Sequence, residues 1–341
     1  MIERCDVLII GAGQAGLATA YYLRRSGLRV VLIDAEASPG ASWNHTWGNL
    51  RLFSPARISS LPGWQLTLPP DSYPSPDQII DYFSAYEQRY RFDVRRPVTA
   101  LRTSGRGPFH TDLSNGDAIV SEYLVNATGN ASRPFVPSIP GQRQFQGTQL
   151  HSRHYRGPED FTGLRVAVVG GGNSGAQIAA DLSGSATVTW CTLRPPRFLP
   201  EDYDGARLFS VAAQHIAAIN AGDTAPKVSD LGDIVLVPPV KKALDAGMLQ
   251  ANSMFQRLTS TSAVWADGRA QPIDAIVWCT GFRPALRHLK GYGLELSGTA
   301  LVDAPRMHLV GYGDWVGPAA DTIIGVNPYA RSAAQAIMAD V

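Results

Sequence analysis

The sequence predicts an α/β fold of two doubly wound parallel-sheet units, the second inserted in the first. Three observations carry this. An apolar strand, a glycine-rich turn and a helix follow one another twice, at DVLIIGAGQAGLA and at RVAVVGGGNSGAQIA. The strand-like runs beside both turns are short, continuous and rich in Val, Ile and Leu, as parallel strands covered on both faces require. The chain of 341 residues is long enough to bury two cores.

Taken in order, DVLII is the first strand, and the helix through LATAYYLRRSG stops at Gly27 before the strand LRVVLID. From Ala35 to about Pro76 the pattern breaks into Pro, Ser, Trp and Gly, an irregular insertion of a size that is usually functional. DQIIDYFSAYEQRYR reads as a helix, with Ile80, Phe83 and Tyr86 at helical spacing and Pro76 near its start. Short strands with turns at SGRG and SNGD lead to YLVNATG. After PFVPSIPG the pattern restarts at LRVAVVGGG and continues through the helix AQIAADLSG and the strand ATVTWCTL. Helical pieces are expected between about Pro196 and Gly247, then the strand DAIVWCTGF, a last strand at MHLVGYGDW and a closing helix in TIIGVNPYARSAAQAIMA. The first unit is therefore residues 1–141 with 283–341, and the inserted unit is 142–282.

Composition narrows the function classes. A formal charge of +1 with 45% hydrophobic and 17% charged residues is that of a soluble globular protein, without the cationic field that nucleic acid or an anionic membrane needs. No apolar run approaches the ~18 residues that span a bilayer, and the amino terminus lacks a cationic start with a cleavage site, so a cytoplasmic protein without membrane insertion is expected. Cys5, Cys191 and Cys279 are scattered and lie in or beside apolar runs, which suits buried, inert thiols rather than a disulfide framework or a metal site.

The two turns differ in preference. In the first, Gly11 permits the tight turn, Gly13 lets backbone approach a pyrophosphate, and Gly16 lets the helix lie close to the strand, with Gln14 and Ala15 at the helix amino terminus facing the phosphate charge. Asp34, followed by Ala35, ends the next strand, where a carboxylate accepts from a ribose and repels a 2′-phosphate. The second turn, Gly170, Gly172 and Gly175 around Asn173 and Ser174, has no such acid; its next strand ends in TLRPPR. Arg194 and Arg197 there suit the 2′-phosphate of NADP, with solvated loop charges as the alternative. Two Rossmann-like turns of opposite preference imply two dinucleotides, FAD at the first and NADPH at the second, an electron-transfer pair.

Between the turns, Phe145, Gly147, His151 and Tyr155 fit the pattern FxGxxxHxxx(Y/F). In this the chain resembles the flavin-containing monooxygenases, whose signature also stands just before the NADPH turn. GASW, with Ser42 and Trp43, is similar to that family's GGxW, and ATG (Ala127, Thr128, Gly129) and CTGF, with Thr280 and Gly281, continue the match. Within the family, ASWNHTWGNLRLFSPARISSLPG and GYGDWVGPAADTIIGV look most like the small monooxygenases encoded in bacterial arsenic-resistance operons.

The resemblance implies that NADPH reduces FAD, that the reduced flavin and dioxygen give a C4a-hydroperoxide, and that a soft heteroatom takes the distal oxygen. Sulfur, nitrogen, selenium and trivalent arsenic all qualify. It places His151 as an anchor of the inter-domain linker that helps orient NADP, with Tyr155 beside it; packing roles are the alternative for both. Asp314 is placed near the ribityl chain and Thr322 at the opening of the last helix, toward the flavin. One position departs: many members carry Asn before Pro beside the reactive flavin edge, whereas this chain has Ser54 before Pro55. The implied partners are a small-molecule substrate and O2, and a homodimer is compatible. Two rivals stand beside this reading: an NADPH oxidase or flavin reductase that releases peroxide, and a non-enzymatic FAD/NADPH-sensing subunit of a transport system.

Overall fold

The computed structural model describes residues 1–200 and 234–341, with positions 207, 210, 211 and 214 between them. The first unit opens with β1 (Ile2–Ile10), α1 (Gln14–Leu23) and β2 (Val30–Ile33). The helix α2 (Pro76–Tyr90) and β3 (Val94–Arg95) follow, then an antiparallel meander of β4 (Ala100–Gly105), β5 (Phe109–Leu113) and β6 (Ala118–Asn126).

The inserted unit contains β7 (Thr148–His151), β8 (Arg165–Val169), α3 (Asn173–Leu182), β9 (Thr187–Thr192), α4 (Pro238–Asp245) and β10 (Ala251–Ser253). A small antiparallel sheet of β11 (Arg257–Leu258), β12 (Ser262–Val264) and β13 (Ala270–Pro272) precedes β14 (Ala275–Trp278). The chain returns through the ribbon β15 (Leu296–Ser297) and β16 (Ala300–Leu301) to β17 (Ala304–Leu309) and α5 (Val326–Ala339).

Two parallel sheets result. In the first, β17, β6, β1, β2 and β3 lie side by side in that order, all parallel. The second is β10-β9-β8-β14-β7, again all parallel. Both faces of each sheet are covered, which explains the unbroken apolar strands: Val7, Leu8 and Ile9 are fully buried, and so are Val166 and Val168. On the first sheet α1, α2 and α5 cover one face, and the meander with the β15–β17 segment covers the other.

The insertion after β2 is irregular but held. α2 starts with a capping box, in which Ser75 accepts from the Gln78 backbone and the Gln78 side chain accepts from the Ser75 backbone. Its tyrosines then tie down the loop before it. Tyr82 Oη accepts from Leu61 N at 2.9 Å and donates to the Trp64 carbonyl, and Tyr86 Oη donates to the Pro62 carbonyl at 2.6 Å.

A second part of the insertion crosses to the other unit. Trp47 is buried in the core of the second sheet, and Leu50, Phe53 and Tyr73 pack against that core beside Tyr155, Phe161 and Leu182. Polar bonds fasten it to α3. Gln177 and the backbone of Arg51 exchange two hydrogen bonds, at 3.1 and 3.3 Å. Asp181, one turn further along the same helix face, accepts from Asn49 and from Tyr155 Oη, each at 2.7 Å.

Two boundaries differ from expectation. α1 begins at Gln14, directly after the turn, so its first amides face the turn's open side. The closing helix begins at Val326 instead of Thr322, because residues 322–325 form a turn in which Thr322 Oγ1 accepts from Gly325 N. Pro328 then falls in the first helical turn, where its missing N–H costs nothing. The helical pieces expected between Pro196 and Gly247 lie largely outside the described residues; α4 is the part that is seen.

Candidate functional site

A cleft of about 1190 Å³ runs between the carboxyl ends of the first sheet and the inserted unit. Gly11, Gly13, Gln14 and Ala15 line it from the first turn, Asp34 and Ala35 from the end of β2, and Ala127, Thr128 and Gly129 from the end of β6. Ser42, Trp43 and Trp47 face it from the insertion, and Asn173 and Ser174 from the second turn.

The first turn is shaped by contact. A Cβ on Gly11 would stand 2.4 Å from the Ala127 carbonyl oxygen, and Gly11 has φ of +102°. One on Gly16 would stand 1.8 Å from the Gly11 oxygen. Side chains at either place are excluded by the protein itself. Gly13 differs, since a Cβ there meets only Ala41 Cβ at 3.3 Å, so its bareness serves the cleft rather than the fold. The second turn repeats the design: a Cβ on Gly170 would stand 2.2 Å from the Cys279 oxygen and one on Gly175 would stand 2.1 Å from the Gly170 oxygen, whereas one on Gly172 would meet nothing.

Asp34 is 5% exposed. Its Oδ2 accepts from Ala12 N at 2.5 Å and its Oδ1 from Glu36 N at 2.8 Å, bonds that lower its pKa against the larger upward push of burial. Each oxygen keeps a further lone pair for a ligand hydroxyl. Glu36 also lines the cleft, holding His45 Nε2 at 2.7 Å and standing 3.9 Å from Arg153. No spacing rule marks that second acid, and the sequence reading missed it.

His151 and Tyr155 stand outside the cleft lining. His151 is 4% exposed; its Nε2 bonds the Gly281 carbonyl at 2.9 Å, its Nδ1 accepts from Arg153 N at 3.1 Å, and its ring packs edge-on against Phe282. Those two bonds fix one neutral tautomer, and burial lowers its pKa. Tyr155 is fully buried, edge-on to Trp47, and its pKa is raised by burial and by Asp181. Ser152 and Arg153, next to them in the chain, reach the cleft, as do residues 130–136 of the connection after β6. Gly281 (φ +78°) carries the His151 contact, and Thr280 donates to the Phe135 carbonyl.

Other expected residues stand elsewhere. Ser54 is buried with its hydroxyl bonded to Ser59 Oγ at 2.8 Å, outside the cleft lining. Asp314 is exposed and outside the lining; the acidic residue of this loop that lines the cleft is Asp321, whose backbone carbonyl accepts from Gln14 Nε2 at 2.8 Å. Asp314 drew notice because it follows a glycine at a strand end, whereas Asp321 sits in a loop without pattern. Thr322 is spent on the turn before α5. Arg194 and Arg197 are exposed beyond the end of β9. Cys5 and Cys191 are buried and pushed up to about 12, and Cys279 is raised by burial too; all three thiols are free.

The donor set fits a dinucleotide. α1 has no side-chain cap, so its first amides and dipole are available to an anion beside Gly13. The bare cradle at Gly13 and the held carboxylate at Asp34 give a phosphate position and a ribose position in the order that a strand–turn–helix–strand unit presents them.

Fold and site together fit an oxidoreductase built on two strand–turn–helix units of the dinucleotide-binding type. The sequence profile of the pyridine nucleotide-disulphide oxidoreductases matches residues 8–217. A flavin-containing monooxygenase from Stenotrophomonas maltophilia is 42% identical, with 99% of each chain covered and a TM-score of 0.90. Among curated relatives, an uncharacterized CzcO-like oxidoreductase of Geobacillus kaustophilus is 28% identical over 81% of this chain and 80% of its own. Indole-3-pyruvate monooxygenase YUCCA1 of Oryza sativa is 27% identical over 81% and 76%. The chain belongs to the pyridine nucleotide-disulphide oxidoreductase family and, within it, to the flavin-containing monooxygenases.

Proposed function

We propose that this enzyme is an NADPH-dependent FAD monooxygenase that oxygenates a soft heteroatom: sulfur, nitrogen, selenium or trivalent arsenic. The observation that carries this reading is a single cleft lined by both glycine turns, with a carboxylate after one and arginines after the other. Residues 1–141 and 283–341 would hold FAD, through Gly11, Gly13, Asp34 and Thr128, and residues 142–282 would hold NADPH, through Gly172, Ser174 and Arg194. Bound FAD supplies two-electron chemistry and activation of dioxygen.

The protein's part is placement and exclusion of water. Trp43, Trp47, Leu50 and Phe53 give the cleft an apolar wall, which would keep water from the reacting edge of a bound flavin. His151 has no proton to give, because its Nε2–H is used on Gly281; it positions the linker. The three free thiols form no pair, so electrons leave by a route other than disulfide exchange, and unpaired cysteines suit a reducing cytoplasm.

The test is anaerobic reduction by NADPH and by NADH, followed by turnover in air with an aryl methyl thioether and, separately, with arsenite. Sulfoxide or arsenate formed one-for-one with NADPH consumed supports the reading, and the arsenite arm decides the link to arsenic resistance. One observation favours a second reading: the Ser54 hydroxyl is turned onto Ser59, away from the cleft. Stoichiometric peroxide without an oxygenated product would establish that oxidase.

A further inference from the structure

A buried chain of side chains ends at the cleft wall with one nitrogen unused. His288 is 5% exposed, Asn126 fully buried and Tyr312 8% exposed. His288 Nε2 bonds Asn126 Oδ1 at 2.9 Å, Asn126 Nδ2 bonds Tyr312 Oη at 2.7 Å, Tyr312 Oη bonds Thr128 Oγ1 at 2.7 Å, and Thr128 Oγ1 bonds the Ala285 carbonyl at 2.8 Å.

The proton positions follow from the far end. A carbonyl only accepts, so Thr128 donates to Ala285 and must accept from Tyr312. Tyr312, having spent its proton, accepts from the Asn126 amide nitrogen, which turns the Asn126 oxygen toward His288. His288 therefore carries its proton on Nε2. Reversing the Asn126 amide would leave the Ala285 carbonyl without its bond, so this direction is favoured by one buried hydrogen bond. His288 Nδ1 is a bare acceptor with no partner among the described residues, on a side chain that lines the cleft. Burial holds this imidazole's pKa down at about 4, so the neutral form persists.

Its place in the cleft indicates what it meets. Val98 N donates to the Asp34 carbonyl at 2.7 Å, and Val98, Thr99, Ala100 and Leu101 continue the wall beyond Asp34, away from α1. Leu289 shares a core with Val98 and Ala100, which puts His288 beside that stretch. With phosphate at α1 and ribose at Asp34, the base lies beyond Asp34. Adenine is distinguished from hypoxanthine by its exocyclic amine, a donor where the other base has a carbonyl.

We propose that His288 is a specificity-determining residue of the first dinucleotide site, its Nδ1 accepting a hydrogen bond from the adenine amine while Asn126, Tyr312 and Thr128 hold it in the tautomer that can do so. This rests on the FAD reading of that site. Glutamine at 288 retains both functions, an amide N–H for Asn126 and an oxygen for the base; leucine retains neither.

The experiment is titration of apoprotein with FAD and with its deaminated analogue, flavin hypoxanthine dinucleotide, for wild type, His288→Gln and His288→Leu. Wild type is expected to prefer FAD by about tenfold or more, the cost of facing an acceptor with a carbonyl. His288→Gln is expected to keep most of that ratio and His288→Leu to lose it. Equal affinity of wild type for the two ligands overturns the proposal without any variant, and so does an undiminished ratio in folded His288→Leu. If His288→Leu does not fold, loss of the ratio in His288→Gln, with FAD still bound, overturns it as well. Failure of wild type to bind FAD at all is a different result and removes the functional reading itself.

Discussion

At the scale of single residues, the glycines of the first turn were legible because each answers to one steric fact, yet the structure separates their roles. Gly16→Ala drives a Cβ into the Gly11 carbonyl and is expected to cost at least about 3 kcal/mol of apoprotein stability in urea unfolding. Gly13→Ala has room to fold and is expected to unfold within about 1 kcal/mol of wild type, losing FAD affinity instead. Equal loss of stability in both would show that the two glycines do the same job. Asp34 was found from its place after a strand, but its bonds to Ala12 and Glu36 were not, since backbone donors leave no mark on sequence. Asp321 and His288 escaped notice for the same reason: a residue's direction depends on a chain path that one-dimensional spacing does not record.

At the scale of elements, strands and helices carried by continuous apolar runs were readable, whereas the two- and three-residue strands β11–β13 and β15–β16 have too little length to show a period. The family signature between the turns drew attention to Tyr155, and the structure gives it a partner in α3. Asp181→Ala strips the acceptor from Tyr155 and Asn49 and is expected to cost about 1–3 kcal/mol, with faster amide exchange in residues 47–53. Unchanged exchange in that segment would mean that apolar packing alone holds it. Beyond β9, Arg194→Gln is expected to weaken NADPH about tenfold in anaerobic reduction and leave NADH unaffected. A parallel loss with both nucleotides would assign Arg194 to packing or general charge.

At the scale of the whole molecule, two buried histidines set an acid limit. His288 and His308 are both held down at about 4 by burial, below the ordinary histidine value of 6.5. Between those values the unfolded chain binds protons that these folded imidazoles refuse, so their contribution to stability is complete above about pH 6.5 and is lost as pH falls toward 4. Urea midpoints measured across that window should fall with acidification, and replacing His308 with a neutral residue should flatten the slope. The doubly wound plan of both sheets was legible because buried parallel strands advertise themselves. The division of labour between them was less so: Trp47, Leu50, Phe53 and Tyr73 belong to the first unit by order along the chain and to the second by what they pack against. For protein engineering this makes the inserted unit a poor cassette. On the proposed division, residues 142–282 transplanted alone into another flavoprotein would carry an open socket where Trp47, Leu50 and Phe53 had been, an adhesive surface inviting aggregation, so recombination of the proposed NADPH unit has to move both pieces together.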